Sequence, residues 1–102
     1  MKEIITKSYK DSIYCKEAFF KQSMQMIIQS AELVADTFKA GNKLLICGNG
    51  GSAADAQHLA AEFVNRFMIE RPPLPAVALS TDTSFFTCIG NDYTFVQVFS
   101  KQ

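Results

Sequence analysis

The fold is decided by residues 44–52, whose sequence is LLICGNGGS. The four apolar residues at its start lie between turn signals, which is typical of a short strand covered on both faces. Three glycines and Ser52 follow at once, and an alanine-rich stretch with apolar residues on one helical face extends to about Phe67. The order strand, glycine loop, helix predicts an α/β protein in which the loop lies at a helix amino terminus.

The residues after this helix predict a second strand. Prolines at 72, 73 and 75 cannot continue a helix, and the apolar run 76–79 reads as a strand parallel to the first. Asp82 is a candidate cap for a short helix that ends at Gly90, followed by a polar turn at Asn91 and Asp92. Residues 93–101 start another helix.

The residues before the first strand predict a helical hairpin. Apolar residues recur at helical spacing over 2–21 and again over 23–40, and Gly41 suits the position just after a helix. We therefore expect one domain that consists of a hairpin over 1–41 and a β-α-β portion over 42–102. Its parallel sheet is flanked by helices.

The composition excludes several classes of protein. The chain has 102 residues with 48% hydrophobic content, enough for one small domain. Ten basic and ten acidic residues cancel, which disfavours nucleic acid and anionic membranes as partners. The odd cysteine count, three in apolar surroundings, predicts buried reduced thiols. Neither a signal peptide nor a membrane span is recognisable, so we expect a cytoplasmic protein.

The glycine loop predicts an anion site. Glycines allow close backbone approach, and a helix amino terminus offers free N–H groups and a positive dipole end. A plain turn is the alternative. An ATP-binding P-loop is excluded because Ala53 follows Ser52 and no lysine is near. Dinucleotide binding is a weaker possibility, because its acidic residue should lie about 20 residues on, and the candidate Asp82 lies farther away.

Four polar residues of the predicted helix, Asp55, His58, Glu62 and Arg66, recur every three or four positions and so share one face. His58 and Glu62 have the spacing of two ligands for one divalent metal, and Glu62 could act as a general base near a substrate bound at the loop. The alternative is a solvated pair between Glu62 and Arg66, with His58 on the surface.

Several motifs together resemble a known family. They are CGNGGSA at 47–53, DAQH at 55–58, Glu62, RF at 66–67, STD at 80–82 and IGND at 89–92. In this combination the chain resembles the phosphoheptose isomerase family of SIS-domain enzymes, from the predicted hairpin to Gln102. The resemblance implies a SIS-type, flavodoxin-like fold. It also implies conversion of sedoheptulose 7-phosphate to D-glycero-D-manno-heptose 7-phosphate, through an enediol, for lipopolysaccharide and related heptose pathways.

The resemblance also implies roles for individual residues. By it, Asn49, Gly50 and Gly51 line the substrate, and Ser52 holds the phosphate. Asn91 and Asp92 contact the sugar. His58 and Glu62 bind zinc, and Glu62 is the catalytic base that also contacts substrate. The family forms homotetramers with sites shared between subunits.

The family continues beyond the position of Gln102, with another strand, a second phosphate loop, and a glutamine and a histidine that complete the zinc site. We therefore expect a partial SIS domain, cut after two strands, that is inactive alone. A sibling branch of the fold is a non-enzymatic partner of a bacterial replication initiator and lacks a carboxylate at the position of Glu62. The presence of Glu62 favours the enzyme.

Overall fold

The computed structural model describes every residue from Met1 to Gln102. Its elements, in chain order, are α1 (Lys2–Lys39), β1 (Leu44–Ile46), α2 (Gly51–Val64), β2 (Ala76–Ala78), α3 (Thr83–Asp92) and a 3₁₀ helix, η1 (Phe95–Gln97). The chain divides into two compact units, Met1–Asp36 and Thr37–Gln102. No helix combines the length and the apolar character that crossing a membrane requires.

Residues Lys2–Lys39 form one continuous helix, α1, so the predicted hairpin is wrong. Residues 19–25 contain no glycine or proline, and nothing in them stops a helix that has already formed. The predicted stop at Gly41 is confirmed. Gly41 has φ +75°, its N–H donates to Phe38 O at 3.0 Å, and the N–H of Asn42 donates to Thr37 O at 3.0 Å. These two bonds form a Schellman motif, which ends α1.

The second unit contains the predicted parallel pair of strands. Leu44 pairs with Ala76, Leu45 with Val77 and Ile46 with Ala78. One face of this sheet packs against α2 through four buried alanines, Ala56 and Ala60 of the helix and Ala76 and Ala78 of β2. Small side chains on both elements let the helix lie close to the sheet, and this contact places the start of α2 beside the strand ends.

Three predictions about burial and boundaries are wrong. The strands are covered on one face only, since Leu45 is 53% and Val77 46% exposed. All three cysteines, Cys15, Cys47 and Cys88, are free and exposed rather than buried. Helix α2 ends at Val64 instead of extending to about Phe67. An apolar sequence pattern identifies residues that are able to pack, but it does not show whether another helix or strand packs against them.

The segment after β2 is partly as predicted. Asp82 caps α3, because its carboxylate accepts from the N–H of Phe85 at 2.9 Å. The helix then runs past Gly90 to Asp92, so the predicted polar turn at Asn91 and Asp92 is wrong. Gly90 does not adopt a positive φ, and a glycine with ordinary helical geometry does not end a helix. The predicted helix over 93–101 is reduced to η1 and following turns.

Candidate active site

The glycine loop forms a tight turn between β1 and α2. Gly50 has φ 57° and ψ −124°, and the N–H of Ser52 donates to Asn49 O at 3.1 Å. These values match the first central position of a type II′ turn, which glycine adopts without strain. The turn delivers the chain directly into α2, whose first residue is Gly51.

Gly48 serves the same loop for a different reason. A Cβ built on Gly48 would lie 2.6 Å from the Cβ of Ser52 and 2.7 Å from its carbonyl oxygen. The backbone of Gly48 therefore lies against the first turn of α2, at a distance that no other residue allows. The fold thus requires two of the three glycines. Gly50 is required for its positive φ, and Gly48 is required because its backbone lies against Ser52.

The amino terminus of α2 is open to solvent. Gly50 is its N-cap and supplies no side-chain hydrogen bond, and residues 49–52 are all exposed. The first backbone N–H groups of a helix have no intrahelical partner, and the helix dipole adds partial positive charge there. This end of the helix has the features of an anion site. The hydroxyl of Ser80, just after β2, donates to Ala53 O at 3.3 Å and ties the end of β2 to the first turn.

His58 and Glu62 meet on the exposed face of α2, as predicted. Nε2 of His58 lies 3.4 Å from Oε1 of Glu62, and the two side chains are 80% and 32% exposed. No group of three His, Cys, Asp or Glu residues forms a metal cluster. A metal on this pair would need further ligands from outside these 102 residues.

Arg66 does not share this face, contrary to the prediction. It lies beyond the end of α2, and its Nη1 donates to Oε2 of Glu70 at 2.6 Å in an exposed pair. The alternative interpretation of a Glu62–Arg66 pair is therefore wrong as well. The helix stops two residues before Arg66, and helical spacing has no meaning beyond that point.

An open groove of about 430 Å³ lies along the second half of α2. Its lining is mostly apolar and is formed by Leu59, Phe63, Phe67, Ile69 and Leu74. The polar groups that reach it are His58, Glu62 and Arg71. A carboxylate and an imidazole at the edge of an apolar groove are groups that can transfer protons to and from a bound substrate.

Arg71 is a residue that sequence reasoning missed. Its guanidinium donates to the carbonyl oxygens of Glu62 and Phe63, each at 2.7 Å. The available signal was an arginine a few residues after a helix that must end before prolines, because carbonyls at a helix end need donors. The sequence did not reveal which carbonyls Arg71 reaches.

Asn91 and Asp92 are not brought to the rest of the candidate site by contacts between elements. Among the helices and strands, α3 contacts only η1. The role of Asn91 and Asp92 as sugar contacts stays a prediction. Asp92 instead faces Cys88, whose Sγ donates to Oδ2 at 3.5 Å. This hydrogen bond, together with desolvation and the negative charge of Asp92, raises the pKa of the Cys88 thiol.

The carboxylate of Asp82 is also engaged. Because it caps α3, its geometry is explained without a nucleotide ribose. This observation weakens the dinucleotide interpretation of the glycine loop, which already had the wrong spacing.

Comparison with known proteins shows the family to which the chain belongs. The model of the SIS domain family matches residues 9–102. The chain belongs to the SIS domain family. This SIS domain is similar to the phosphoheptose isomerase of Nitratidesulfovibrio vulgaris strain Hildenborough, with 62% identity over 87 residues that cover 85% of the chain and 42% of that relative. It is also similar to the phosphoheptose isomerase of Trichlorobacter lovleyi, with 54% identity over 100% of the chain and 52% of that relative.

Solved structures show the same likeness. Phosphoheptose isomerase GmhA from Neisseria gonorrhoeae superposes with a TM-score of 0.89 at 48% identity, covering 99% of this chain and 52% of the GmhA chain. A phosphoheptose isomerase from Francisella tularensis gives a TM-score of 0.88 at 35% identity, over 98% of this chain and 50% of that one. The SIS-type fold is confirmed, and the chain spans about half the length of the relatives it matches.

Proposed function

We propose that this SIS domain supplies the glycine loop and the general base of a phosphoheptose isomerase, which converts sedoheptulose 7-phosphate to D-glycero-D-manno-heptose 7-phosphate. The observation that carries the proposal is the placement of Glu62 and His58 on the open face of the helix that begins at the exposed glycine loop. Its relatives carry the name phosphoheptose isomerase, and this name supports the substrate class.

The sugar phosphate is placed in an extended form along α2, with its reacting end toward Glu62. From Gly51 to Glu62 the helix axis rises about 16 Å at 1.5 Å per residue. Helical side chains lean toward the amino terminus, which brings the Glu62 carboxylate closer to the loop than its Cα. The phosphate then lies at the amino end of α2, and the reacting carbons lie near Glu62.

The proposed chemistry requires a base at one end of the substrate and a fixed phosphate at the other end. Aldose–ketose isomerisation removes a proton next to a carbonyl and returns it to the neighbouring carbon through an enediol. The Glu62 side chain is only 32% exposed and lines the groove, so it is reachable from the groove and partly screened from bulk water. Anchoring the phosphate holds the reacting carbons in register with the base.

We also propose zinc as the cofactor, with His58 and Glu62 as two of its ligands. Two zinc bonds of about 2.1 Å at a tetrahedral angle place their donor atoms about 3.4 Å apart. The separation of Nε2 and Oε1, 3.4 Å, fits that geometry. A bound divalent cation supplies charge stabilisation to the oxygen atoms of the enediolate.

The proposed base is tested by Glu62→Gln in the protein expressed from its complete reading frame. We expect kcat for sedoheptulose 7-phosphate to fall by about 10² to 10⁴, the usual contribution of a general base, with KM little changed. Glu70→Gln is the matched control, since Glu70 is exposed, pairs with Arg66 and does not line the groove. A Glu62→Gln enzyme as fast as wild type would exclude Glu62 as the base. A folded wild type that binds an initiator protein without turnover would support the non-catalytic alternative.

The metal assignment has its own test. Elemental analysis of the purified protein should find zinc in the wild type and a clear loss of zinc in His58→Ala. Asp55→Ala, on the same helix, is the control and should retain zinc. Full retention in His58→Ala would overturn the assignment of His58 as a ligand.

We propose further that the protein acts as a homotetramer in the cytoplasm. Helix α1 has no buried residue, and its exposed apolar side chains include Ile5, Phe19, Phe20 and Leu33. A large exposed apolar surface is typical of an interface. Free cysteines suit a reducing compartment. Sedimentation velocity should give a tetramer, and a monomer at micromolar concentration would contradict it.

A further inference from the structure

Arg71 joins the segment between α2 and β2 to the last turn of α2. Its Nη2 donates to the carbonyl oxygen of Glu62 at 2.7 Å, and its Nη1 donates to the carbonyl oxygens of Phe63 at 2.7 Å and Pro72 at 3.1 Å. The bonds to Glu62 and Phe63 are partly buried. Both lie at the groove that Arg71 lines together with His58 and Glu62.

The end of α2 explains why a charged side chain is needed there. In a longer helix the N–H groups of Arg66 and Phe67 would bond to the carbonyls of Glu62 and Phe63, but α2 stops at Val64. The planar guanidinium presents several N–H donors in a fixed fork and can meet two adjacent carbonyls at once. The N–H of Leu74 adds a bond to Phe63 O at 3.1 Å.

The turn directly after α2 is strained and exposed. Met68 has φ 61°, and the N–H of Ile69 donates back to Phe67 O at 2.7 Å, as in a strained γ-turn. Met68 is 89% exposed. A strained, exposed turn directly after a helix favours fraying of its last turn, and the hydrogen bonds from Arg71 oppose this fraying.

We infer that Arg71 is a positioning residue for Glu62. It fixes the peptide unit of Glu62, and therefore sets where the carboxylate lies along the groove. The side chain of Glu62 has one polar neighbour, His58, at 3.4 Å, so the backbone is its main anchor. The inference rests on the proposed function, in which Glu62 is the base.

Loss of Arg71 should affect the chemical step rather than substrate binding. A base must lie within hydrogen-bond reach of the proton it removes, and a shift of about 1 Å can cost about 10²-fold in rate. The glycine loop at the opposite end of α2 does not depend on Arg71. Loss of Arg71 should therefore lower kcat and leave KM for the sugar phosphate nearly unchanged.

The test compares Arg71→Ala and Arg71→Lys with Gln102→Ala in the protein expressed from its complete reading frame. Gln102 is a matched control, because its Nε2 also donates to two backbone carbonyls, those of Leu79 at 2.9 Å and Val98 at 2.8 Å, far along the chain from Glu62. We expect kcat of Arg71→Ala to fall at least tenfold with KM within threefold of wild type. Arg71→Lys, which keeps the charge and fewer donors, should give an intermediate kcat. Gln102→Ala should keep the wild-type kcat.

Amide hydrogen exchange supplies a second measurement that does not depend on activity. The N–H of Asn65, which donates to Ala61 O at 2.9 Å, reports on the last turn of α2. Its exchange should accelerate about tenfold in Arg71→Ala and stay unchanged in Gln102→Ala. Unchanged exchange in Arg71→Ala would overturn the inference, as would a kcat within twofold of wild type.

The outcomes separate this inference from the proposed function. If Glu62→Gln is as active as wild type, the proposed function fails, and Arg71 is judged by the exchange alone. If Glu62→Gln is inactive and Arg71→Ala is fully active, only the present inference fails. If Arg71→Ala does not fold, Arg71→Lys decides, since a reduced kcat at unchanged KM supports the inference and a wild-type kcat overturns it.

Discussion

The two ends of α2 differ in how their unpaired backbone groups are treated. At the amino end, Gly50 and Gly51 lie exposed and no side chain caps the helix. At the carboxyl end, the carbonyls of Ala61, Glu62 and Phe63 accept from Asn65, from Arg71, and from both Arg71 and Leu74. Backbone groups left open at one end are available to a ligand, whereas satisfied groups at the other end hold a side chain in place.

The comparison also explains the distribution of residue types. The open end uses glycine, which exposes backbone N–H groups to an incoming anion. The closed end uses arginine, which covers carbonyls with charged donors. Two predictions test the open amino end of α2, and a third tests the carboxyl end of α3; they follow from the largest expected effect to the smallest.

The largest effect is expected from Gly48→Ala. The new Cβ would lie 2.6 Å from Ser52 Cβ and 2.7 Å from Ser52 O, so the first turn of α2 must move. Overpacking of this kind lowers the free energy of unfolding by about 3 kcal/mol. Gly90→Ala is the control, because its Cβ meets nothing within 4 Å and it lies inside α3. That change should raise stability by up to about 1 kcal/mol. Urea unfolding measures both, and equal effects would contradict the prediction.

A smaller effect is expected from Gly50→Ala. No atom lies within 4 Å of the added Cβ, so the loss comes only from the positive φ of 57°. The free energy of unfolding should fall by about 1–2 kcal/mol. Gly51→Ala, which meets nothing within 4 Å and has no positive φ, should change stability by less than about 0.5 kcal/mol. Thermal unfolding distinguishes the two, and a larger loss for Gly51→Ala would show that the turn differs from type II′.

The smallest effect concerns the carboxyl end of another helix, where Asp92 faces Cys88. The hydrogen bond, desolvation and charge of Asp92 raise the pKa of Cys88, so at a given pH fewer molecules carry the reactive thiolate. Asp92→Asn should move the pH profile of iodoacetamide alkylation to lower pH and speed alkylation at pH 8 by a few fold. The measurement uses protein in which Cys15 and Cys47 are serine, with Asp11→Asn as control. An unchanged profile would contradict the contact.

Much of the fold could be predicted because its signals are local. The apolar run before the glycines, the prolines after α2, the cap at Asp82 and the stop at Gly41 each act within a few residues. The shared face of His58 and Glu62 follows from helical geometry in the same way. The substrate, the zinc and the roles of Asn49, Ser52, Asn91 and Asp92 stay predictions.

The wrong predictions concern features that the local sequence pattern does not specify. The two predicted amino-terminal helices are one, because residues 19–25 contain no glycine or proline that would break a helix. Cys47 is exposed although it directly follows an apolar strand, because apolar sequence does not specify which side chains are covered. Cys15 and Cys88 lie exposed on the helices α1 and α3. Arg66 does not lie on the predicted face, because α2 ends at Val64. Beyond Val64 the chain turns, and Arg71 and Leu74 come back to contact the helix end.

By itself, the sequence determined the order of the elements and the open amino end of α2, because turn geometry and capping depend on neighbouring residues. Only the tertiary structure decided where α2 ends and what anchors Glu62. The carbonyls of Glu62 and Phe63 receive donors from residues eight to eleven positions further along the chain, Arg71 and Leu74. Such a contact exists only after the chain has folded back on itself, and no local pattern specifies it.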